Sequence, residues 1–209
     1  MEKVHIIRIM KNIKIMNFII LSKSNKSVSQ KEFIDFWDAL YEDSYEEKSG
    51  NKYSDNINQS EHSKQTLLAL FEWKNRSKMS AKKTRSFNEN ILSKLKIINK
   101  LRNDPNFNED IFLKEFNTVS TIWKIFLLHI IKPNKYPIFD QHVYRAFCYI
   151  NHQGVCELPL NNQEREKKYF DEYLPFFQQI KEGFSIKKTD EALWTFGKFL
   201  KSNFKKIID

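Results

Sequence analysis

"TVSTIWKIFLLHIIKPNKYPIFDQHVYRAF", residues 118–147, holds an apolar run, a proline turn and a capped amphipathic run in thirty residues. Residues 118–131 are apolar on several faces at once, the pattern of a helix buried in the middle of a bundle. "KPNKYP" (132–137) ends that helix, because proline lacks the N–H the helix needs and restricts the residue before it. Pro137 forces an extended turn. Asp140 then stands at an N-cap position, and Val143, Tyr144 and Phe147 return at helical spacing behind it. A buried helix, a short turn and a capped amphipathic helix are the parts of helix-on-helix packing. The bland account of the second half is complete in itself: Asp140 caps, and His142 lies in the first turn.

Working outward, the remaining segments also carry the 3.6-residue period. "KEFIDFWDALYE" (31–42) places Phe33, Phe36, Trp37 and Leu40 on one face, with Ser29 as its cap. Residues 43–60 are polar and form a long loop. Residues 61–73 resume helix, capped by Ser60, and 75–85 form a basic connection. Residues 86–103 form a helix with Ile91, Leu92, Leu95 and Ile98 on one side. A short helix follows Pro105, at 108–116. Two more are expected at roughly 163–182 and 188–206, where Gly197 allows a close helix approach. The fold class is therefore all-α, a two-lobed helical bundle, with one short N-terminal strand as the non-helical candidate. Residues 1–28 form an N-terminal extension. Its apolar runs are interrupted by Arg8, Lys11 and Lys14, and no small-residue cleavage site follows Leu21, so neither a secretory signal nor a membrane span is expected. Met16 offers a second start. Residues 29–209 read as one helical domain that can divide into a central lobe (about 60–150) and a second lobe (29–59 with 151–209).

Composition narrows the function. The net charge is +9, from 35 basic and 26 acidic residues, which biases the chain toward polyanions, nucleic acid before anionic membrane. A Lys-rich proteome would produce the same number without a partner. With only 4 Gly, a Gly-rich phosphate loop is not apparent. Two cysteines, Cys148 and Cys156, make no disulfide framework and point to a reducing, cytoplasmic compartment. They cannot hold an iron–sulfur cluster, which takes four. Cys148, His152 and Cys156 are spaced by four, but Gly154 and a helix end near Asn151 spoil zinc geometry. No metal and no cofactor are expected. His129, alone in "IFLLHII", reads as a satisfied core residue.

The pattern "PIFDQHVYRA", with Asp140, His142, Val143 and Arg145 following a buried helix, resembles the helix-hairpin-helix base-excision DNA glycosylases. The resemblance covers residues 118–147 and is only a helix pattern elsewhere. It implies a two-lobed helical fold with the active site between the lobes, double-stranded DNA as partner, and a flipped base. It makes Asp140 the catalytic carboxylate. Such an anion either stabilises the oxocarbenium-like charge that builds as an N-glycosidic bond breaks or orients a water. His142 then fixes the helix start or the DNA backbone, and Arg145 is a structural or phosphate contact.

The chain also departs from the family pattern. The Gly-containing hairpin of the superfamily corresponds here to "EFNTVSTIWK" (115–124), which keeps Val119 and lacks both Gly residues. Bifunctional members place a Schiff-base Lys roughly 18–20 residues before the Asp. Here those positions hold Ser120, Thr121 and Ile122, and Lys124 is off register. The resemblance therefore implies a monofunctional enzyme that uses water. Residues 67–91 have the shape of the helix–loop–helix that carries a wedge residue. Trp73, Asn75 and Tyr144 are the candidates for base pocket or wedge, and Lys82, Lys83, Arg85 and Lys124 for DNA phosphates. Trp73 in the core and the lysines on a solvated loop is the structural alternative. Two other readings stay open: a DNA-binding or partner-binding module that kept the fold and lost the chemistry, and a helical binding domain whose charge is incidental.

Overall fold

A computed structural model describes residues 28–41, 52–152 and 154–208, with side chains described to 201. All regular secondary structure among the described residues is helical. The candidate N-terminal strand lies outside them, as does the first half of the expected 43–60 loop; the described half carries a short helix at Ser54–Ile57.

The chain divides into two compact units, each built from more than one segment, and Asp140 opens one segment of the first. The first unit contains α1 (Gln30–Ala39), α8 (Gln141–His152), α10 (Leu174–Ile180) and α11 (Ile186–Ile208). Ser29 caps α1 through a reciprocal pair, accepting from the Glu32 N–H while the Glu32 carboxylate accepts from the Ser29 N–H at 2.7 Å. α11 packs against both α1 and α8. Phe196 is central to that packing, with its ring 5.2 Å from Phe33 and 5.0 Å from Trp37, all fully buried or nearly so. Lys188 fixes the polar margin through Asp35 at 2.7 Å. Gly197 sits inside α11, where glycine costs about 1 kcal/mol against alanine. The reason for it is steric. A Cβ there would lie 1.9 Å from the His142 carbonyl oxygen, so α8 and α11 meet backbone to backbone at the first turn of α8. A second glycine, Gly183, takes φ 84° in the turn between α10 and α11, a conformation that favours glycine.

The second unit contains α2 (Ser54–Ile57), α3 (Lys64–Asn75), α4 (Ala81–Asn90), α5 (Leu95–Asn103), α6 (Glu109–Glu115), α7 (Thr121–Ile131) and α9 (Asn162–Lys167). α7 is its axis. Every residue from Lys124 to Ile131 is buried, as a helix apolar on all faces requires. The rings of Trp123 and Phe126 on α7 lie 5.1 and 5.3 Å from Phe71 on α3, in edge-to-face geometry.

Three local boundaries differ from the sequence reading. α3 starts at Lys64, and its cap is Ser63, not Ser60. Ser63 and Thr66 satisfy each other's backbone N–H, while Asn99 bonds both the N–H and the carbonyl of His62 and keeps that residue out of the helix. The basic connection turns helical at Ala81, where Ser80 caps α4. The expected 86–103 helix breaks after Asn90 and resumes at Leu95. At the break, Asn90 and Ser93 side chains bond carbonyls four residues back, and Lys94 bonds the Glu115 carbonyl. A π-helical segment, Lys168–Tyr173, follows α9, and the division between the units falls inside it. No described helix is long and apolar enough to cross a membrane.

Candidate functional site around Asp140

Asp140 is held by the helix it starts. Its Oδ1 accepts from the His142 N–H at 2.9 Å and the Val143 N–H at 3.3 Å, and its carbonyl accepts from the Tyr144 N–H at 3.0 Å. This is an N-cap, and the positive end of the α8 dipole adds to its preference for an anion. The result is a carboxylate of fixed position, partly buried, at a helix start.

His142 follows one residue into the helix. Its ring lies 5.1 Å from Trp194, and Nδ1 is 3.5 Å from Arg145 Nη1. Burial lowers its pKa below the ordinary histidine value, against the opposing pull of Asp140. The proton is therefore disfavoured near neutral pH, which leaves an imidazole rather than a cation beside the carboxylate. Arg145 is 2% exposed, and its guanidinium donates to the Gly197 carbonyl at 3.3 Å and to Glu157 at 3.1 Å. It therefore ties α8 to α11 and to the loop after α8. Of the two roles offered for it, the structural one matches this geometry. Tyr144 is 5% exposed and lies 5.9 Å from Phe147.

The loop after α8 folds back along that helix. Gln141 clasps it at both ends, donating to the Cys156 carbonyl at 3.3 Å and accepting from the Leu158 N–H at 2.8 Å. Cys148 and Cys156 are joined as a disulfide across it. The sequence reading saw no disulfide framework in two cysteines; the structure pairs them. They are eight positions apart in sequence, and the helix end followed by Gly154 turns the chain back on itself. Among the described residues no three His, Cys, Asp or Glu side chains cluster as a metal site.

The other candidates lie in the second unit. Trp73 is 8% exposed, with its ring 4.4 Å from Tyr53 and 6.1 Å from Phe126, and the Arg76 guanidinium lies over it at 5.5 Å. Asn75 organises the turn that follows, donating to the Ser77 carbonyl at 3.1 Å and accepting from the Lys83 ammonium. Arg76 takes a left-handed φ of 58° to end α3. This brings Trp73, Asn75, Lys82, Lys83 and Arg85 to one helix–turn–helix junction, with the three cations exposed on α4. Lys124 is not part of it. It is buried and ion-paired with Glu166 on α9. The turn between α6 and α7 keeps Val119 buried and contains no positive φ.

His129 is fully satisfied. Nδ1 bonds the Tyr136 carbonyl at 2.7 Å, and Nε2 lies 2.7 Å from the Tyr53 hydroxyl. The first requires the proton on Nδ1, so the hydroxyl donates to Nε2. Burial pushes its pKa down to about 4. The features that sequence reading missed share one trait. Glu157, Glu166, Tyr53 and the cysteine pairing act across folded distance, and only the i+8 spacing of the cysteines was open to inspection.

No known protein family, no curated protein and no solved structure matches this chain.

Proposed function

We propose that this protein acts on DNA as a monofunctional N-glycosylase, with Asp140 as its carboxylate. The observation that carries the reading is the fixed position of Asp140 at the start of α8, beside an imidazole held in its neutral form. In such a reaction the bond from sugar to base breaks, the base leaves with the electron pair, water adds its oxygen to the anomeric carbon, and the proton that water loses ends on the departing base. An anion opposite that carbon offsets the developing positive charge, or aims the water. The exposed cations of α4 supply charge for strand phosphates. Lys124, buried and paired with Glu166, is not placed to serve as an amine nucleophile, which supports water in that role.

The test compares wild type with Asp140→Asn on duplexes carrying damaged and modified bases. Abasic sites are scored by alkaline cleavage, and binding is followed at two salt concentrations. The expected result is abasic-site formation by the wild type alone, with equal binding by both. Binding without abasic sites in either protein favours the second reading, a DNA-binding module without chemistry. Two observations favour that alternative: Trp73 is packed inside the second unit, and the α6–α7 turn lacks the glycines of a phosphate-binding hairpin.

A further inference from the structure

The second unit carries a cleft that the reading above does not use. It has a volume of about 480 Å³, and its walls include Asn58, Ser60, Arg102, Lys132, Asn134 and Lys135. They come from the loop before α3, the end of α5 and the turn after α7. No wall residue is a carboxylate. Arg102 donates to three backbone carbonyls, those of Gln59 at 2.7 Å, Ile57 at 2.8 Å and Ile130. A guanidinium has five N–H groups, so the carbonyls take only part of its capacity. Lys132 donates to the carbonyls of Arg102 at 2.8 Å and Asp104 at 2.7 Å, again short of its three protons. These carbonyls are neutral dipoles. They orient the two cations at the ends of α5 and α7, and the Asp104 carboxylate, outside the wall, favours the charged form of Lys132.

We propose that this cleft binds a phosphate group through Arg102, Lys132 and Lys135, with the Asn and Ser side chains as further donors. Three cations line one concave wall: two are oriented by backbone, and the third, Lys135, holds its ammonium 4.9 Å from the Tyr136 ring centre. Burial lowers the pKa of both Arg102 and Lys132, so their charges are already partly out of water and an anion would relieve that cost. Pre-oriented, partly desolvated donors favour a compact, multiply charged ligand over chloride. The chemistry is that of phosphate oxygens, and either a nucleic-acid strand or a free diphosphate presents them. The site does not depend on the Asp140 reading.

The experiment uses the full chain and pyrophosphate as probe. Thermal unfolding is followed with increasing pyrophosphate and, separately, with sodium chloride at matched ionic strength. Lys135→Glu and Asn134→Asp change exposed wall residues, so the fold survives them. The site predicts a rise in Tm with pyrophosphate beyond that with chloride, an affinity at least tenfold weaker in Lys135→Glu, and no change in Asp140→Asn. A single-stranded oligonucleotide that displaces pyrophosphate assigns strand phosphates as the source. One that does not displace it assigns a free diphosphate. A Tm that follows ionic strength alone, or a Lys135→Glu variant that binds as wild type does, overturns the site.

Discussion

Asp140 combines two duties that two substitutions separate. Asparagine keeps the capping oxygen, while alanine removes it and costs roughly 1 kcal/mol. Asp140→Asn is expected to melt within about 0.5 kcal/mol of wild type and Asp140→Ala to lose roughly 1 kcal/mol, measured by urea denaturation. If the proposed chemistry holds, both lose abasic-site formation by at least about 100-fold. Asp140 was legible in the sequence because capping is local: an extended turn, an acid, then apolar residues at helical spacing. For Arg145 two roles stood open, structural or phosphate contact, because the groups that decide between them, the Gly197 carbonyl and Glu157, lie outside its own helix. Lys124 was misread for the same reason, since Glu166 reaches it from another helix.

Elements carry two further predictions. The α3–α4 junction gathers cations by folding a basic connection into a helix, so Lys82 and Arg85 project from regular structure. Replacing both with Gln is expected to weaken duplex binding and to lower the slope of log K against log salt by about 2, one for each lost phosphate contact. Fluorescence anisotropy at several salt concentrations measures it. The second concerns the loop after α8. Closing a ring across a separation of eight residues stabilises the folded state by about 2.5 kcal/mol in the chain-entropy account. Reductant is therefore expected to lower stability by that order, and intact mass after alkylation reports the thiols directly. Cys156→Ser should remove the response to reductant. Helix existence was readable from periodicity, but helix ends were less so. Ser60 and Ser63 are equivalent in sequence, and the choice between them is made by Asn99, far along the chain, holding His62.

The whole molecule has an acid limit set by buried imidazoles. His62 and His129 are both pushed by burial from 6.5 to about 4. Burial is the dominant cause at His62, with the Ile130 backbone and Arg102 acting on it in opposite directions. Above pH 7 these groups are neutral in both states and add no pH dependence. As pH falls below 6.5 the unfolded chain takes up protons that the folded chain refuses, so stability drops until about pH 4. The loss approaches roughly 3 kcal/mol per histidine at the low end. Urea midpoints at pH 7.5, 6 and 4.5 should fall in that order, and His62→Leu should flatten the trend. The all-α class was legible from low glycine and pervasive helical period. The division into two units at Asp140 was not, because a unit boundary depends on which helices pack together, and α8 packs on α11 from the far end of the chain. That packing has a consequence for sequence drift. At position 197 nineteen side chains would drive a carbon into the His142 carbonyl, so the only tolerated residue is the one that weakens its own helix. A saturation library selected for folding should therefore keep glycine alone at 197, while neighbouring exposed positions of α11 vary freely. The start of the Asp140 helix is thus registered by a missing methyl group.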